Sequence, residues 1–411
     1  MNRLRTYFQE FHPIVYSLIV GTVFVRAAQS MSMPFLALYL AKSTDMSPLM
    51  IGLTIGAGPL AGTVGGFIGG AISDRIGRRR VMMTALYTWV FVFIGFAFGK
   101  GMLFFMLLNA LSGLCRAVFE PVSQALMADL TDKEKRFRVF SMRYLAINIG
   151  VAVGPLLGAY LGQLDSTIPF IVTGVVYLIY ALVLQALMKY FGIQQIEGEG
   201  QKKERVTFRG AWNVITHDVA LRYFIVGGMI VSLGYSQMTV TLSQYVGKSF
   251  TDGIELFSYL MSLNAIVVVT CQMWLSKWAE KRTPLTSIVI GVILYTVGLL
   301  GFGLSGTWLT FMVSMFVFTL GEILTFPASS VFIDNLARDG MRGTYFGAQS
   351  FTSLGHALGP SFGGWLLSMY GGSTMMITIA VITLFSIAFY YQGQRIFTAR
   401  TGKVMEMAKT H

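Results

Sequence analysis

The chain has 411 residues, of which 54% are hydrophobic and only 12% are charged, and its formal net charge at pH 7 is +12. A soluble domain carries about 25% charged residues, so this chain has too little polar surface to cover a globule in water. Most of it is therefore expected to lie in lipid. The basic residues fall in short clusters between apolar runs, which favours attraction to anionic lipid headgroups and argues against a nucleic-acid partner.

Twelve apolar runs reach the length of about 20 residues that a membrane-spanning helix needs. The first run is long and has no small-residue cleavage site after it, so we expect it to be retained rather than removed as a signal peptide. The sequence therefore predicts an all-α membrane protein with twelve transmembrane helices. The runs cover about residues 13–40, 49–73, 81–99, 102–130, 139–161, 168–188, 223–247, 257–276, 286–305, 309–335, 343–368 and 375–391.

A polar stretch between the sixth and seventh runs divides the chain. We expect an N-terminal six-helix bundle at 1–191, a cytoplasmic linker at 192–221 and a C-terminal six-helix bundle at 222–411. Loops on the cytoplasmic side of a membrane are enriched in lysine and arginine. Only three of the 31 basic residues fall in loops on the side opposite the termini, which predicts that both termini are cytoplasmic.

The two halves are related by an internal repeat. A shift of 206 residues aligns Pro121 with Pro327 and Arg136 with Arg342. Internal repeats of this kind are common in secondary transporters.

The loop between the second and third runs carries a glycine, an acid and several arginines at fixed spacing. Gly77 permits a tight turn, and a carboxylate at a helix end can cap the positive N-terminus of a neighbouring helix. A basic loop alone would not require this spacing. The positions concerned are Gly70, Asp74, Arg75, Gly77 and Arg78.

Through this loop and the repeat, the chain resembles transporters of the Major Facilitator Superfamily over essentially its whole length. The resemblance implies two pseudo-symmetric six-helix halves that work by alternating access. It also implies that Asp74 latches the halves by capping the eleventh span, which starts near Arg342, with Arg78 and Asp129 as its charged partners. The second copy of the loop begins at Lys277, near the position equivalent to the aspartate, so we expect the latch to be asymmetric.

The fifth run has small residues four apart, which allow helices to approach closely, and a proline that can bend the helix. An ordinary packing face would explain this pattern. However, the pattern resembles the motif of the antiporter branch of the superfamily, with Ala159 in place of the final glycine, which favours export by exchange. In the fourth span Asn109 stands where the drug exporters have an arginine. The packing motif and its repeat comprise Gly150, Gly154, Pro155, Gly158, Gly359 and Pro360.

Four charged residues stand near the middle of apolar runs: Arg26, Arg116, Glu120 and Glu322. Burying a charge in a membrane is costly unless it is paired or wet, so such residues mark functional sites. Arg116 and Glu120 share a helix face, and structural ion pairs with Glu120 are the alternative. The second half offers Glu322 no basic partner at membrane depth. Because a low dielectric favours the neutral form of a carboxyl, Glu322 is the candidate proton-coupling residue.

Two further residues are proton-coupling candidates, and several polar side chains accompany the buried charges. Glu120 and His356 could carry protons, although a lone histidine in a span is more often a packed group. The 24 methionines and 32 phenylalanines include some that could form adaptable walls for varied hydrophobic ligands. The predicted substrate-binding residues are Arg26, Gln29, Arg116, Asn148, Tyr235, Gln237 and Asn264.

The sequence contains no phosphate-binding loop, metal-ligand cluster or nucleophile–base arrangement. We therefore expect no enzyme activity, cofactor or metal, and we expect the proton gradient to supply the energy. These expectations describe a monomeric, proton-coupled antiporter of a bacterial cytoplasmic (inner) membrane, resembling the twelve-span drug:proton antiporters of multidrug efflux. Its partners would be protons, membrane lipids and a lipophilic or amphipathic small molecule.

Two alternatives stay open. The two buried arginines would suit an anion, which favours a dedicated exporter of an anionic metabolite, a siderophore-like compound or a glycolipid. A non-transporting membrane sensor built on the same fold is the other alternative, although a sensor has no need to keep the loop and fifth-span motifs.

Overall fold

The computed structural model describes residues 10–44, 46, 48–165, 167–192, 216–239 and 241–402, and these residues contain helices but no strand. Short turns of 3-10 helix precede α5 and α13. The helices are α1 (Pro13–Ser43), α2 (Pro48–Ile76), α3 (Arg78–Phe98), α4 (Met102–Asp129), α5 (Arg136–Leu164), α6 (Ile168–Tyr190), α7 (Val219–Thr239), α8 (Thr241–Ser249), α9 (Gly253–Ala279), α10 (Pro284–Leu304), α11 (Trp308–Leu336), α12 (Arg342–Gln349) and α13 (Ser353–Thr401).

Ten helical segments among the described residues are long and apolar enough to cross a membrane. The last of them covers 60 residues, Arg342–Thr401, and contains both the eleventh and the twelfth predicted spans. Gly371 interrupts its helical backbone with a φ of +80°, a conformation that glycine adopts without steric cost. The second predicted span lies in α2. The all-α membrane fold predicted from the sequence is confirmed, and residues 193–215 of the predicted linker lie outside the described residues.

The chain forms two compact units. The first comprises the described residues of 1–132, 146–211 and 337–350, and the second those of 133–145, 212–336 and 351–411. Each unit thus contains most of one half of the chain together with a short stretch of the other half. We call residues 133–145 the α5 segment and residues 337–350 the α12 segment.

Aromatic side chains fill the interior of each unit. In the first unit, the rings of Trp89 and Tyr177 lie 4.8 Å apart, and the Trp89 indole N–H donates to the Ser112 hydroxyl at 3.1 Å. In the second unit, the rings of Tyr295 and Phe318 join α10 to α11 at 4.2 Å. Offset and edge-to-face aromatic pairs add to the apolar burial of each ring, so these contacts fix the helices that carry the polar side chains.

A close helix contact of the first unit joins α2 to α4. A Cβ atom at Gly113 would lie 1.9 Å from the carbonyl oxygen of Gly58, so only glycine fits there. One turn earlier, the side-chain amide of Asn109 donates to the backbone carbonyls of Thr54 and Ile55 at 2.9 and 2.6 Å. Asn109, which replaces the arginine of the drug exporters, therefore pins α4 to α2.

Replacing Gly113 by alanine tests this contact. The added methyl group must push the two backbones apart, and overpacking of this kind costs about 1–3 kcal/mol. We expect Gly113→Ala to lower the apparent melting temperature of the detergent-solubilised protein by several degrees, measured by thermal shift on size-exclusion chromatography. Gly56→Ala is the matched control, because nothing lies within 4 Å of a Cβ atom at Gly56. Equal melting temperatures for both variants would contradict the prediction.

Candidate functional site

Asp74 caps the start of another helix of the first unit. Its side chain has no exposed surface, and its carboxylate accepts hydrogen bonds from the backbone N–H of Gly343 at 2.9 Å and of Thr344 at 2.6 Å. The Thr344 hydroxyl donates a third bond at 2.8 Å. These two residues open α12, where N–H groups have no partner within the helix and the helix dipole favours a negative charge. Asp74 thereby fixes the start of α12 to the end of α2.

Three further charges extend this contact into an alternating cluster. Arg78 donates to Asp74 at 3.0 Å and to Asp129 at 2.5 Å. Arg342 donates to the other oxygen of Asp129 at 2.7 Å. Since buried charges are tolerated only when paired, the alternation of signs is what allows four charges to meet here. We call Asp74, Arg78, Asp129 and Arg342 the first clamp.

The remaining positions of the loop motif shape the backbone around this clamp. A Cβ atom at Gly70 would lie 2.0 Å from the carbonyl oxygen of Gly343, so glycine is required for the close approach of α2 to α12. Gly77 precedes α3 with a φ of +96°, which only glycine adopts readily. The Arg75 side chain is exposed. The role of the whole motif in a conformational cycle stays a prediction.

The second unit contains a cluster that sequence reasoning missed. The Arg138 guanidinium donates to both oxygens of Glu280, each at 2.9 Å, and Arg136 donates to Asp334 at 2.6 Å. Arg136 and Asp334 are buried. Bidentate pairs between arginine and carboxylate are among the strongest hydrogen-bonded contacts. We call these four residues the second clamp, which fixes the α5 segment to the ends of α9 and α11.

The two clamps occupy equivalent positions of the repeat. Glu280 lies 206 residues after Asp74, and Thr344 lies 206 residues after Arg138. At this shift Glu280, three residues after Lys277, is the residue equivalent to Asp74. The acid stands at the C-terminal cap of α9, and it binds a guanidinium instead of the N-terminus of a helix.

Reversing the Arg138–Glu280 pair tests the second clamp. Arg138→Glu and Glu280→Arg each bring like charges together, so we expect each to lower the apparent melting temperature in detergent. The double variant should recover most of the loss, with a coupling of about 0.5–3 kcal/mol. Lys281→Glu, at an exposed lysine of the same loop, is the control and should change little. A double variant as unstable as the sum of the two single variants would contradict the pairing.

Two arginines of the first unit share one carboxylate. Arg26 on α1 donates to Glu120 Oε1 at 2.5 Å, and Arg116 on α4 donates to the same atom at 3.0 Å. The Arg26 side chain is 12% exposed and that of Arg116 is 50% exposed. The ion pairs weighed as an alternative are thus present, which weakens the case for an anionic substrate built on two unpaired arginines.

Glu322, midway along α11, is fully buried and has only neutral partners among the described residues. The Tyr144 hydroxyl donates to Oε1, and the Asn264 amide donates to Oε2 at 2.7 Å. Tyr235 supplies a third side-chain hydrogen bond. A buried carboxylate without a cation is costly unless donors compensate it. These three donors come from three helices: α5, α9 and α7.

Tyr144 was not among the residues predicted from the sequence. It lies one turn before Asn148 in the fifth span, and this polar pair at helical spacing was the signal that could have found it. Tyr235, which was predicted, packs edge-on against Phe326 with centroids 5.2 Å apart. The His356 ring lies 6.1 Å from the Tyr235 ring, so Tyr235 stands between His356 and Glu322.

The other predicted binding residues are distributed over both units. Gln237 is fully buried, and its amide donates to the carbonyls of Leu233 and Gly359 at 2.9 and 3.0 Å. Its oxygen accepts from Thr241 at 2.6 Å, so this side chain joins α7 to α13 and α8 and has little capacity left for a ligand. Gln29 and Asn148 are half-buried.

The small-residue motif packs one helix against another in each unit. A Cβ atom at Gly154 would lie 2.5 Å from the carbonyl oxygen of Ala27, and one at Gly150 would lie 2.6 Å from that of Val23. In the second unit a Cβ atom at Gly359 would lie 1.8 Å from the Ser236 hydroxyl. The motif thus brings α5 close to α1 and its repeat brings α13 close to α7. Gly158 is buried, Pro155 is exposed and Pro360 is half-buried.

Long apolar helices that carry paired charges define a multi-pass membrane protein. Residues 18–353 match the family described as the Major Facilitator Superfamily, and the chain belongs to that family. Members of this family are transporters rather than enzymes, and they carry small-molecule substrates, often with protons.

Several similar proteins come from bacteria. The chain is 36% identical over 400 residues to YqjV, an uncharacterized MFS-type transporter of Bacillus subtilis, covering 95% of this chain and 97% of that protein. It is 24% identical to a Na(+), Li(+), K(+)/H(+) antiporter of Planococcus maritimus (89% and 94% covered) and 22% identical to the multidrug resistance protein MdtH of Salmonella arizonae (94% and 96%). The solved transporter FucP shares the fold with a TM-score of 0.73 at 10% identity, covering 92% of this chain and 97% of FucP.

Proposed function

We propose that this protein is a proton-coupled antiporter that exports lipophilic or amphipathic compounds, with Glu322 as its proton-binding residue. The observation that carries the proposal is the full burial of Glu322 among neutral donors. One proton can neutralise such a carboxyl without leaving a cation unpaired. Glu120 differs, because its protonation would remove the charge that pairs with both Arg26 and Arg116.

The sequence patterns and the relatives support the proposed direction and location of transport. The fifth-span motif favours exchange, and the similar proteins include one named for multidrug resistance and one named as a cation/H(+) antiporter. The asymmetry of the basic residues favours a bacterial cytoplasmic membrane with both chain termini inside. A monomer is sufficient for this mechanism, since one chain carries both repeats.

The clamps and Glu322 would have different roles in transport. The first and second clamps hold helix ends by contacts that a conformational cycle must break and remake. Glu322, with Tyr235 and Asn264 beside it, supplies the proton chemistry. Protonation of Glu322 would favour one state of the cycle, and binding of the exported compound would compete with it. The shared arginine–carboxylate group around Glu120 would line the substrate path.

Replacing Glu322 by glutamine tests the proton site. Glutamine keeps an acceptor for the neighbouring donors but cannot bind and release a proton. In inverted membrane vesicles, uptake of a cationic dye such as ethidium driven by an imposed pH gradient should fall about 100-fold or more, the loss expected when a positioned proton-transfer group is removed. Glu255→Gln, at an exposed acid, is the control and should keep wild-type rates. If Glu322→Gln still drives efflux with protons, the assignment is wrong.

Replacing Asp74 by asparagine tests the separation of cycling from binding. Asparagine keeps one acceptor but loses the charge that pairs with Arg78 and with the N-terminus of α12. We expect dye binding within about threefold of wild type, a difference below 1 kcal/mol, and transport turnover reduced well beyond that. Binding is measured by fluorescence polarisation on purified protein and turnover in proteoliposomes. Loss of binding with normal turnover would contradict this division.

A transport screen separates this proposal from its alternatives. Cationic dyes and anionic metabolites are offered in parallel to proteoliposomes with an imposed pH gradient. Export of the dyes supports the proposal, and exclusive export of anions would replace it with the metabolite exporter. Absence of transport for every compound, with binding retained, would favour a sensor.

A further inference from the structure

Tyr144 joins the carboxyl of Glu322 to a segment that belongs to the other half of the chain. It lies in the α5 segment, which is part of the second unit, whereas residues 146–164 of the same helix belong to the first unit. Of the three donors to Glu322, Asn264 and Tyr235 come from the second half itself. Tyr144 is therefore the donor that ties Glu322 to a part of the fifth span.

The contacts of the α5 segment follow one another along α11. Near its start Arg136 binds Asp334 at 2.6 Å, and two turns later Tyr144 binds Glu322. Asp334 lies later in α11 than Glu322, so the segment runs antiparallel to α11. The Tyr144 ring stacks on Phe326 with centroids 5.7 Å apart, which fixes the direction of its hydroxyl. Glu322 is thus one of the groups that hold this segment in the second unit.

We infer that Tyr144 is the positioning residue through which the charge of Glu322 controls how tightly the α5 segment is held. This inference rests on the proposed function of Glu322 as the proton-binding residue. An ionised carboxylate accepts a much stronger hydrogen bond from a phenol than a neutral carboxyl does. When Glu322 takes up a proton, its new O–H also needs an acceptor, so one of the three donors must turn or let go. The hold on Tyr144 weakens, while the Arg136 and Arg138 pairs remain.

The groups around Glu322 limit what else could titrate. On α5, α7 and α10 the neighbours are the tyrosines Tyr144, Tyr235 and Tyr295, and on α9 the neighbour is the neutral Asn264. Phenols titrate near pH 10, far above the range in which a carboxyl at this site would act. His356 is the next titratable ring, beyond Tyr235. A response that disappears in Glu322→Gln therefore belongs to Glu322, and one that persists belongs to His356 or another group.

The test compares two tyrosines that donate to the same carboxyl. Hydrogen–deuterium exchange of peptides from residues 133–145 is measured on the full chain in nanodiscs from about pH 5.5 to 8, below the titration of any phenol, with correction for the intrinsic exchange rate. In the wild type we expect protection to fall roughly fivefold as the pH is lowered, the difference between a charged and a neutral hydrogen bond. Tyr144→Phe keeps the ring stack, so it should give low protection at every pH. Tyr235→Phe, the matched control on α7, should keep a pH-dependent response.

Two further comparisons decide the inference. Glu322→Gln should give the low protection of Tyr144→Phe, and combining the two substitutions should add nothing, because each removes the same bond. Tyr144→Phe should also lose proton-driven dye efflux while keeping dye binding. If Glu322→Gln abolishes proton-driven efflux but Tyr144→Phe keeps the pH-dependent protection of residues 133–145 expected for Tyr235→Phe, the inference is overturned and the proposed function stands. If Glu322→Gln transports normally, the proposed function itself fails.

Discussion

A charge at membrane depth needs a partner, and the kind of partner decides what the charge can do. Glu120 is bound by two guanidiniums, Arg26 and Arg116, so its negative charge is needed to keep two cations in place. Glu322 is bound by hydroxyl and amide donors. These donors compensate its charge, but no cation among the described residues depends on that charge. Protonation of the first carboxylate would therefore remove the charge that pairs with two guanidiniums, whereas protonation of the second would break no ion pair among the described residues.

The internal repeat places the same contacts at the same offsets but builds them from different chemistry. In the first unit, an aspartate binds the exposed N–H groups at the start of α12, and the backbone itself is the donor. In the second unit, a glutamate at the equivalent position binds a side-chain guanidinium on the α5 segment. A helix dipole and a point charge are both suitable counter-ions for a carboxylate. The second clamp was missed from the sequence because its residues stand at equivalent positions of the repeat but differ in type.

The fold was predictable because lipid imposes few solutions. Backbone groups in a bilayer must be satisfied within the segment, so long apolar runs are helices, and the predicted runs correspond to the helices of the structure. The residues around Asp74 could also be found from sequence, because the glycines, the acid and the arginines at fixed spacing resemble the loop motif of the superfamily. Lys277 was misassigned because aligning basic residues by type ignored the acid three positions later. Tyr144 was missed because its helical spacing with Asn148 was not used, and its contact with Glu322 identifies it.

The structure combines symmetric clamps with an asymmetric ionisable group. Each unit holds a short segment from the opposite half of the chain. Asp74 holds the α12 segment in the first unit, and the Arg138–Glu280 pair holds the α5 segment in the second. Glu322 breaks that symmetry, since it lies in the second unit, contacts the segment that the second clamp holds, and has no counter-ion among the described residues to lose. If Glu322 is the proton-binding residue, as proposed, a proton that binds there would weaken the hold on the α5 segment and would not directly alter the contacts of the α12 segment.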